Sequence, residues 1–298
     1  MKIGLFMFPT PTTIAPAILG QKAEALGFES FWLPEHPVVP VQYETNNTWT
    51  SDGKIPEHYT CMPDPLIGLA TVAAVTTTIK LATGICLIPE RNPIILAKEI
   101  ATLDHFSNGR VIVGAGAGWL REETEILGTE FSTRWRRLRE SVEAMRTLWR
   151  EDEAEYHGLE IDFPLIRCLP HPVQKPCPPV LLGTYSYDEK SLRRVANWAD
   201  GWCPPAYSPD LLRDALSTLQ HFAEEAGRDP ESFDITVLLG VTEESACADL
   251  IKQYEDAGAH RVVLMLGPGP EHAAVTPHYF VPESAENTLE RLAEISGL

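Results

Sequence analysis

Two features of this chain have the residue types for chemistry: a proton-handling pair and two turns built from small residues. The pair is Glu35-His36, in the run Trp32-Leu33-Pro34-Glu35-His36-Pro37 that closes an apolar segment. A carboxylate beside an imidazole exchanges protons near neutral pH and orients a flat ring. Pro-Glu-His recurs at 34–36, 56–58 and 270–272, so the tripeptide is no signature. Only the first copy lies immediately at the end of a strand-like run. That placement also suits a histidine that merely hydrogen-bonds its own turn.

The turns are Gly114-Ala115-Gly116-Ala117-Gly118-Trp119 and Gly183-Thr184-Tyr185-Ser186, each between an apolar run and a helix-like segment. Closely spaced glycines let backbone N–H groups approach an anion, and a following helix N-terminus adds a favourable dipole. Neither turn is a dinucleotide fingerprint, since Trp119 breaks the spacing, and no GK[ST] follows to make a nucleotide-triphosphate loop. A glycine cluster is also the ordinary form of a tight strand-to-helix turn. Two such turns together favour a phosphate-bearing cofactor. Arg91 is a candidate anion partner or a surface charge. The basic run Arg134-Trp135-Arg136-Arg137-Leu138-Arg139 reads as a solvated helix that makes ion pairs. Phe8, Trp32, Trp49, Trp119, Trp202 and Tyr207 are candidates to line a flat pocket or simply to fill cores. No serine or cysteine stands out as a nucleophile, and no HExxH or CxxC indicates a metal.

These groups must be held by elements that alternate along the chain. Strand-like runs fall at 3–8, 29–34, 80–87, 110–115, 179–183, 200–204, 234–240 and 261–266, short, apolar and free of central charge, as parallel strands covered on both faces should be. Helix-like segments fall at 14–26, 64–78, 93–106, 132–150, 188–198, 208–226, 243–257 and 284–296. Eight such units predict a (β/α)8 TIM barrel, with an open doubly wound sheet as the alternative. Residues 37–63 and 151–178 depart from the alternation. The first reads as a long loop on the barrel's active face, the second as a small hairpin and an extended arm. They are insertions after strands 2 and 4. With no linker or repeat, residues 1–298 read as a single domain.

At 298 residues the chain is long enough for one such barrel. Its net charge of −18 excludes a basic nucleic-acid or anionic-membrane surface. The acidity is uneven: residues 150–298 carry 26 acidic and 11 basic side chains. An anionic ligand therefore needs local donors. No apolar run approaches a bilayer's length, and Ile3–Phe8 is too short for a signal segment. Six scattered cysteines then suggest reduced thiols in a cytoplasmic, soluble protein.

Several pieces, in order, resemble the luciferase-like monooxygenase superfamily of flavin- and deazaflavin-dependent enzymes. They are Ile3-Gly4-Leu5-Phe6, Phe31-Trp32-Leu33-Pro34-Glu35-His36, Leu81-Ala82-Thr83-Gly84-Ile85 with Arg91-Asn92-Pro93, and Ala101-Thr102-Leu103-Asp104 with Ser107-Asn108-Gly109-Arg110. Gly114 through Trp119 with Glu122-Glu123, Pro172-Val173-Gln174-Lys175-Pro176 and Ala199-Asp200-Gly201-Trp202 continue the series. The surroundings of His36 are most similar to the branch that uses coenzyme F420, a 5-deazaflavin.

The resemblance implies a barrel with insertions, usually a homodimer, that holds an isoalloxazine-type ring at its C-terminal mouth. It assigns Gly84, Ile85 and Cys86 to a bulge behind the ring, often built on a cis peptide. It assigns Gly116, Gly118 and Trp119 to a first phosphate turn, and Gly183, Thr184 and Ser186 to a second. His36, with Glu35, would contact ring and substrate and move a proton, while hydride passes between deazaflavin and a small organic molecule. Alternatives are a two-component FMN monooxygenase using reduced flavin and oxygen, and a non-catalytic deazaflavin-binding protein. Two positions depart from pattern. Trp119 stands where the glucose-6-phosphate-oxidising branch has an acid, and Glu35 stands where an Asp is common.

Overall fold

The alternation of apolar and polar segments folds into a closed ring of parallel strands wrapped by helices. The structure is a computed structural model that describes residues 1–48, 50, 52–240, 244–266 and 285–298. Trp49 and the third Pro-Glu-His, at 270–272, lie outside the described residues.

Strand β1 (Lys2–Met7) is buried at every residue after Lys2, because one face meets helices and the other the barrel interior. It pairs with β2 (Ser30–Leu33) on one side and β11 (Arg261–Leu266) on the other. From β2 the ring continues through β3 (Lys80–Thr83), β5 (Val111–Gly116), β8 (Val180–Gly183), β9 (Gly201–Cys203) and β10 (Asp234–Gly240) to β11. All these pairings are parallel, and the ring closes with β1 between β11 and β2 and with β3 on β5, so the open-sheet alternative is excluded. The segment expected as one strand over 80–87 breaks at a cis Gly84–Ile85 peptide, after which β4 (Cys86–Leu87) pairs higher up β5.

Period-2 alternation separates two cores. Phe6, Trp32, Ala82, Ile112, Leu181 and Val263 point inward and fill the barrel. Their neighbours Leu5, Leu33, Leu81, Val113, Val180 and Leu264 point outward against the helices.

The helices start and stop where local chemistry directs. Asp64 caps α2 (Pro65–Ala73), Asn92 caps α3 (Pro93–Phe106), Asp188 caps α6 (Glu189–Trp198) and Ser208 caps α7 (Pro209–Glu225), each accepting a backbone N–H. Proline occupies the first turn of α1 (Pro16–Ala25), α2, α3 and α7, where a missing N–H costs nothing. Helix α2 ends five residues before the expected 78, because Thr77, Thr78 and Ile79 give their N–H groups to the Glu24 carboxylate instead of to a helix. Helix α4 (Arg121–Ile126), unforeseen in the sequence reading, follows β5, and α5 (Arg134–Arg150) comes next. The 151–178 arm holds an antiparallel hairpin, β6 (Ala154–His157) with β7 (Asp162–Ile166). Helices α8 (Glu244–Asp256) and α9 (Ala285–Ser296) complete the ring.

Candidate active site at the barrel mouth

The strand ends deliver a compact aromatic and acid–base cluster. His36 follows β2 and is almost enclosed, its side chain 8% exposed. Its Nδ1–H donates to Glu123 Oε2 at 2.7 Å, and Glu123 is fully buried in α4. Its Nε2 accepts from the Trp119 indole Nε1–H at 3.3 Å. An indole nitrogen only donates, so these two contacts select the neutral tautomer with its lone pair on Nε2. Tyr59 stacks on the imidazole with centroids 4.8 Å apart, and Trp119 meets it edge-on at 5.8 Å. Tyr59 comes from a 3-10 turn, Glu57–Cys61, in the long loop after β2. Glu122 fastens that loop by accepting the N–H groups of Glu44 (2.6 Å) and Thr45 (3.1 Å). Adjacent carboxylates thus clamp the loop and the histidine.

Glu35 turns away from this cluster. Its carboxylate binds the Arg91 guanidinium and accepts the Leu87 N–H at 2.6 Å. Arg91 also binds Asp64, so it is committed within the protein rather than to an outside anion. Burial alone would lower the Arg91 pKa, but the charge and hydrogen bond of Glu35, with the hydrogen bond to Asp64, together outweigh it and raise it. Cys86 lies behind the same carboxylate in the outer core, its thiol pushed well up by burial and then by Glu35. The ring's acidic partner is therefore Glu123 rather than Glu35. Whatever Cys86 offers the mouth is backbone.

Ile85 points inward, and Gly116 and Gly183 make room for it. A Cβ at Gly116 would come 2.8 Å from Ile85 Cγ2, and one at Gly183 would come 2.8 Å from Ile85 Cγ1. At Gly84 a Cβ would press 2.9 Å from the Phe6 ring. Ile85, Tyr59, Met62, Leu238 and Met265 are half-buried on top of the inner core and form an apolar wall. Gly118 has φ +81°, and a Cβ there would strike Glu90 Oε1 at 2.7 Å. Only glycine suits both demands.

Behind Gly118, Glu90 is buried, with Oε1 accepting from Thr124 Oγ1 at 2.9 Å and no partner for Oε2 among the described residues. Burial first, and then the nearby Glu123, push its pKa up to about 9. The second turn is tied internally: Thr184 Oγ1 accepts from Trp202 Nε1 (2.9 Å) and donates to the Ser186 carbonyl, while Ser186 Oγ accepts the Asp188 N–H. The Thr184 hydroxyl is engaged as a donor, while among the described residues Ser186 Oγ only accepts, so an anion here would meet backbone and the Ser186 hydroxyl.

A family model described as luciferase-like monooxygenase matches residues 17–294. The chain belongs to the luciferase-like monooxygenase family. An uncharacterized protein of Mycobacterium tuberculosis is 40% identical over 230 residues, 77% of this chain and 80% of its own. Among solved structures, an F420-dependent secondary alcohol dehydrogenase in complex with an F420–acetone adduct superposes with a TM-score of 0.75 at 18% identity, over 99% of this chain and 97% of its own. The oxygenating constituent of 3,6-diketocamphane monooxygenase from Pseudomonas putida, in complex with FMN, does so with 0.64 at 21% identity, over 84% and 70%. The luciferase-like barrel is thus shared by deazaflavin and flavin enzymes. Among the described residues no helix is long and apolar enough to cross a membrane, and no group of three or more His, Cys, Asp or Glu is placed to hold a metal ion.

Proposed function

We propose that this luciferase-like chain is an F420-dependent oxidoreductase acting on a small organic alcohol or carbonyl compound at the mouth of the barrel. The observation that carries the reading is the orientation of His36: Nδ1 is fixed on a buried carboxylate while, among the described residues, the Nε2 lone pair is held only by an indole N–H. The residues fit a flat tricyclic ring. Ile85, backed by glycines 116 and 183, and the half-buried Tyr59, Met62 and Met265 supply an apolar wall. When bound, a deazaflavin supplies a carbon that accepts or releases hydride.

The protein handles the proton. A substrate hydroxyl that displaces the Trp119 N–H from Nε2 can pass its proton to His36, and Glu123 stabilises the imidazolium as it forms. In the reverse direction the imidazolium returns the proton to a carbonyl oxygen. Tyr59 and the loop clamped by Glu122 keep water off the imidazole face. Gly116, Gly118 and Trp119 on one side, and Gly183, Thr184 and Ser186 on the other, take the cofactor's phosphate region through backbone N–H groups. Glu35 and Cys86 act behind the site, through Arg91 and the outer core.

The same reading makes the chain one domain and a cytoplasmic homodimer. Ile67 on α2 and Ile95 and Phe106 on α3 are 69%, 58% and 75% exposed, an apolar face that a second copy would cover. Tryptophan quenching on titration with the deazaflavin and with FMN tests the assignment. Tighter binding of the deazaflavin is expected. Tighter binding of FMN would replace the reading with that of a flavin monooxygenase. Binding without any redox change across a panel of alcohols, ketones and enones would leave a carrier of deazaflavin.

A further inference from the structure

The basic run at the start of α5 divides into two functions. Arg136 and Arg139 face Glu160 and Glu143, as a solvated helix requires. Arg134 turns instead toward the mouth. Its Nε donates to the Gly118 carbonyl at 3.1 Å and its Nη1 to the Phe131 carbonyl at 2.7 Å, with the guanidinium 3.5 Å from the Phe131 ring centroid. Arg121, which opens α4, lies over the same ring at 4.5 Å. Arg194, from the second turn of α6, lies 4.0 Å over Trp135, the residue next to Arg134. Three arginines from three helices therefore converge on two adjacent rings, alongside the turn at 116–119 and on the helix that follows the turn at 183–186.

Their charge is poorly compensated. Arg121 has Glu125 at 3.3 Å and the Asp188 carboxylate acts on Arg194 from longer range, but among the described residues no carboxylate lies within ion-pair distance of Arg134 or Arg194. Burial and then the charges of Arg194 and Arg121 lower the Arg134 pKa. In a chain of net charge −18, a convergence of like positive charge beside two anion-type turns offers a site for an external counter-charge. Coenzyme F420 carries a chain of carboxylates beyond its phosphate, and three arginines on three helices match such a chain better than they match a single phosphate.

We propose that Arg121, Arg134 and Arg194 form a rim that binds the oligo-carboxylate tail of the cofactor and so selects a tailed deazaflavin over a tailless one. This rests on the deazaflavin reading and deepens it. The aromatic platforms hold the guanidinium planes at fixed positions, which lowers the ordering cost of binding a flexible tail.

The test compares coenzyme F420 with a deazaflavin 5′-phosphate lacking the tail, by tryptophan quenching. The proteins are wild type, the Arg121→Gln/Arg194→Gln double variant and Arg194→Lys, with Arg134 left in place because it braces Gly118. Wild type should prefer the tailed form about tenfold at low salt, with the preference shrinking as salt rises. In the double variant the two affinities should come together through loss of the tailed form alone, and Arg194→Lys should retain part of the preference. An equal tailed-to-tailless ratio in wild type and double variant would overturn the proposal. Should wild type bind neither deazaflavin, triglutamate separates the two ideas. A rise in the melting temperature of wild type but not of the double variant keeps the rim and removes the cofactor reading, and no rise in either removes the rim.

Discussion

Glu90 gives the sharpest test of the buried architecture behind the mouth. In the unfolded chain its carboxyl ionises near the ordinary 4.5, whereas burial, and then Glu123, hold it protonated in the fold up to about pH 9. Below 4.5 both states keep the proton and the contribution of the neutral acid is fully present. Between 4.5 and 9 the unfolded chain releases the proton while the fold retains it, so stability falls by ~1.4 kcal/mol per pH unit. The loss is complete once pH passes the folded value. From about pH 5 to pH 8 this amounts to an upper bound of about 4 kcal/mol. Glu90→Gln keeps the shape and cannot titrate. Urea unfolding followed by tryptophan fluorescence, at several values between about pH 5 and pH 8, should show the variant gaining on wild type by close to that slope. A constant offset added to that slope would report only how the amide fits beside Thr124. Parallel curves with no pH-dependent gap would refute the reasoning, since Glu90 would then be ionised in the fold.

His36→Ala should lower turnover by roughly 10²–10³-fold while leaving deazaflavin quenching nearly intact, the size expected for loss of a positioned acid–base group. Lost affinity with unchanged turnover would remove His36 from the chemistry. Glu24 behaves oppositely to Glu90: burial pushes its pKa up, but N–H bonds from Thr77, Thr78 and Ile79 outweigh this and bring it down to about 2. Its contribution is therefore present above 4.5 and lost as pH falls toward 2. Glu24→Gln should cost about 1–2 kcal/mol at neutral pH, allowing for partial exposure, and should flatten acid unfolding in that window. Phe106→Glu should give a monomer in light scattering where wild type gives a dimer, and two species of equal mass would contradict the proposed apolar interface.

The fold was largely legible because barrel strands and their helices are set by local patterns. Leu5 and Phe6, or Leu81 and Ala82, alternate between the outer core and the barrel interior, and both faces are apolar, so each strand stands out as a short uncharged run. Pro65, Pro93 and Pro209 mark helix starts for reasons confined to one turn of chain. Helix α4 was less visible. It has only six residues, and three of its first five are Glu or Arg with partners outside the helix: Glu122 on the loop at 44–45, Glu123 on His36 and Arg121 over Phe131. Those partners lie 10 to 87 positions away, where no periodicity reaches.

The exchange of Glu35 for Glu123 follows from the same geometry. Successive residues leaving a strand point to opposite sides, so Glu35 and His36 were poorly placed to share one face of the mouth. His36 follows the inward direction toward Tyr59 and Trp119, which sends Glu35 outward to Arg91 and the Leu87 N–H. The signal for the true partner was present in the Trp119-Leu120-Arg121-Glu122-Glu123 run. A residue four positions on, across a helix start, returns to the same side, so Trp119 and Glu123 approach one imidazole from its two nitrogens. Trp119 at this position thus has a physical role that an acid could not share. An indole N–H on Nε2 fixes the neutral tautomer, whereas a carboxylate there would draw the proton onto Nε2 and leave no lone pair for a substrate hydroxyl.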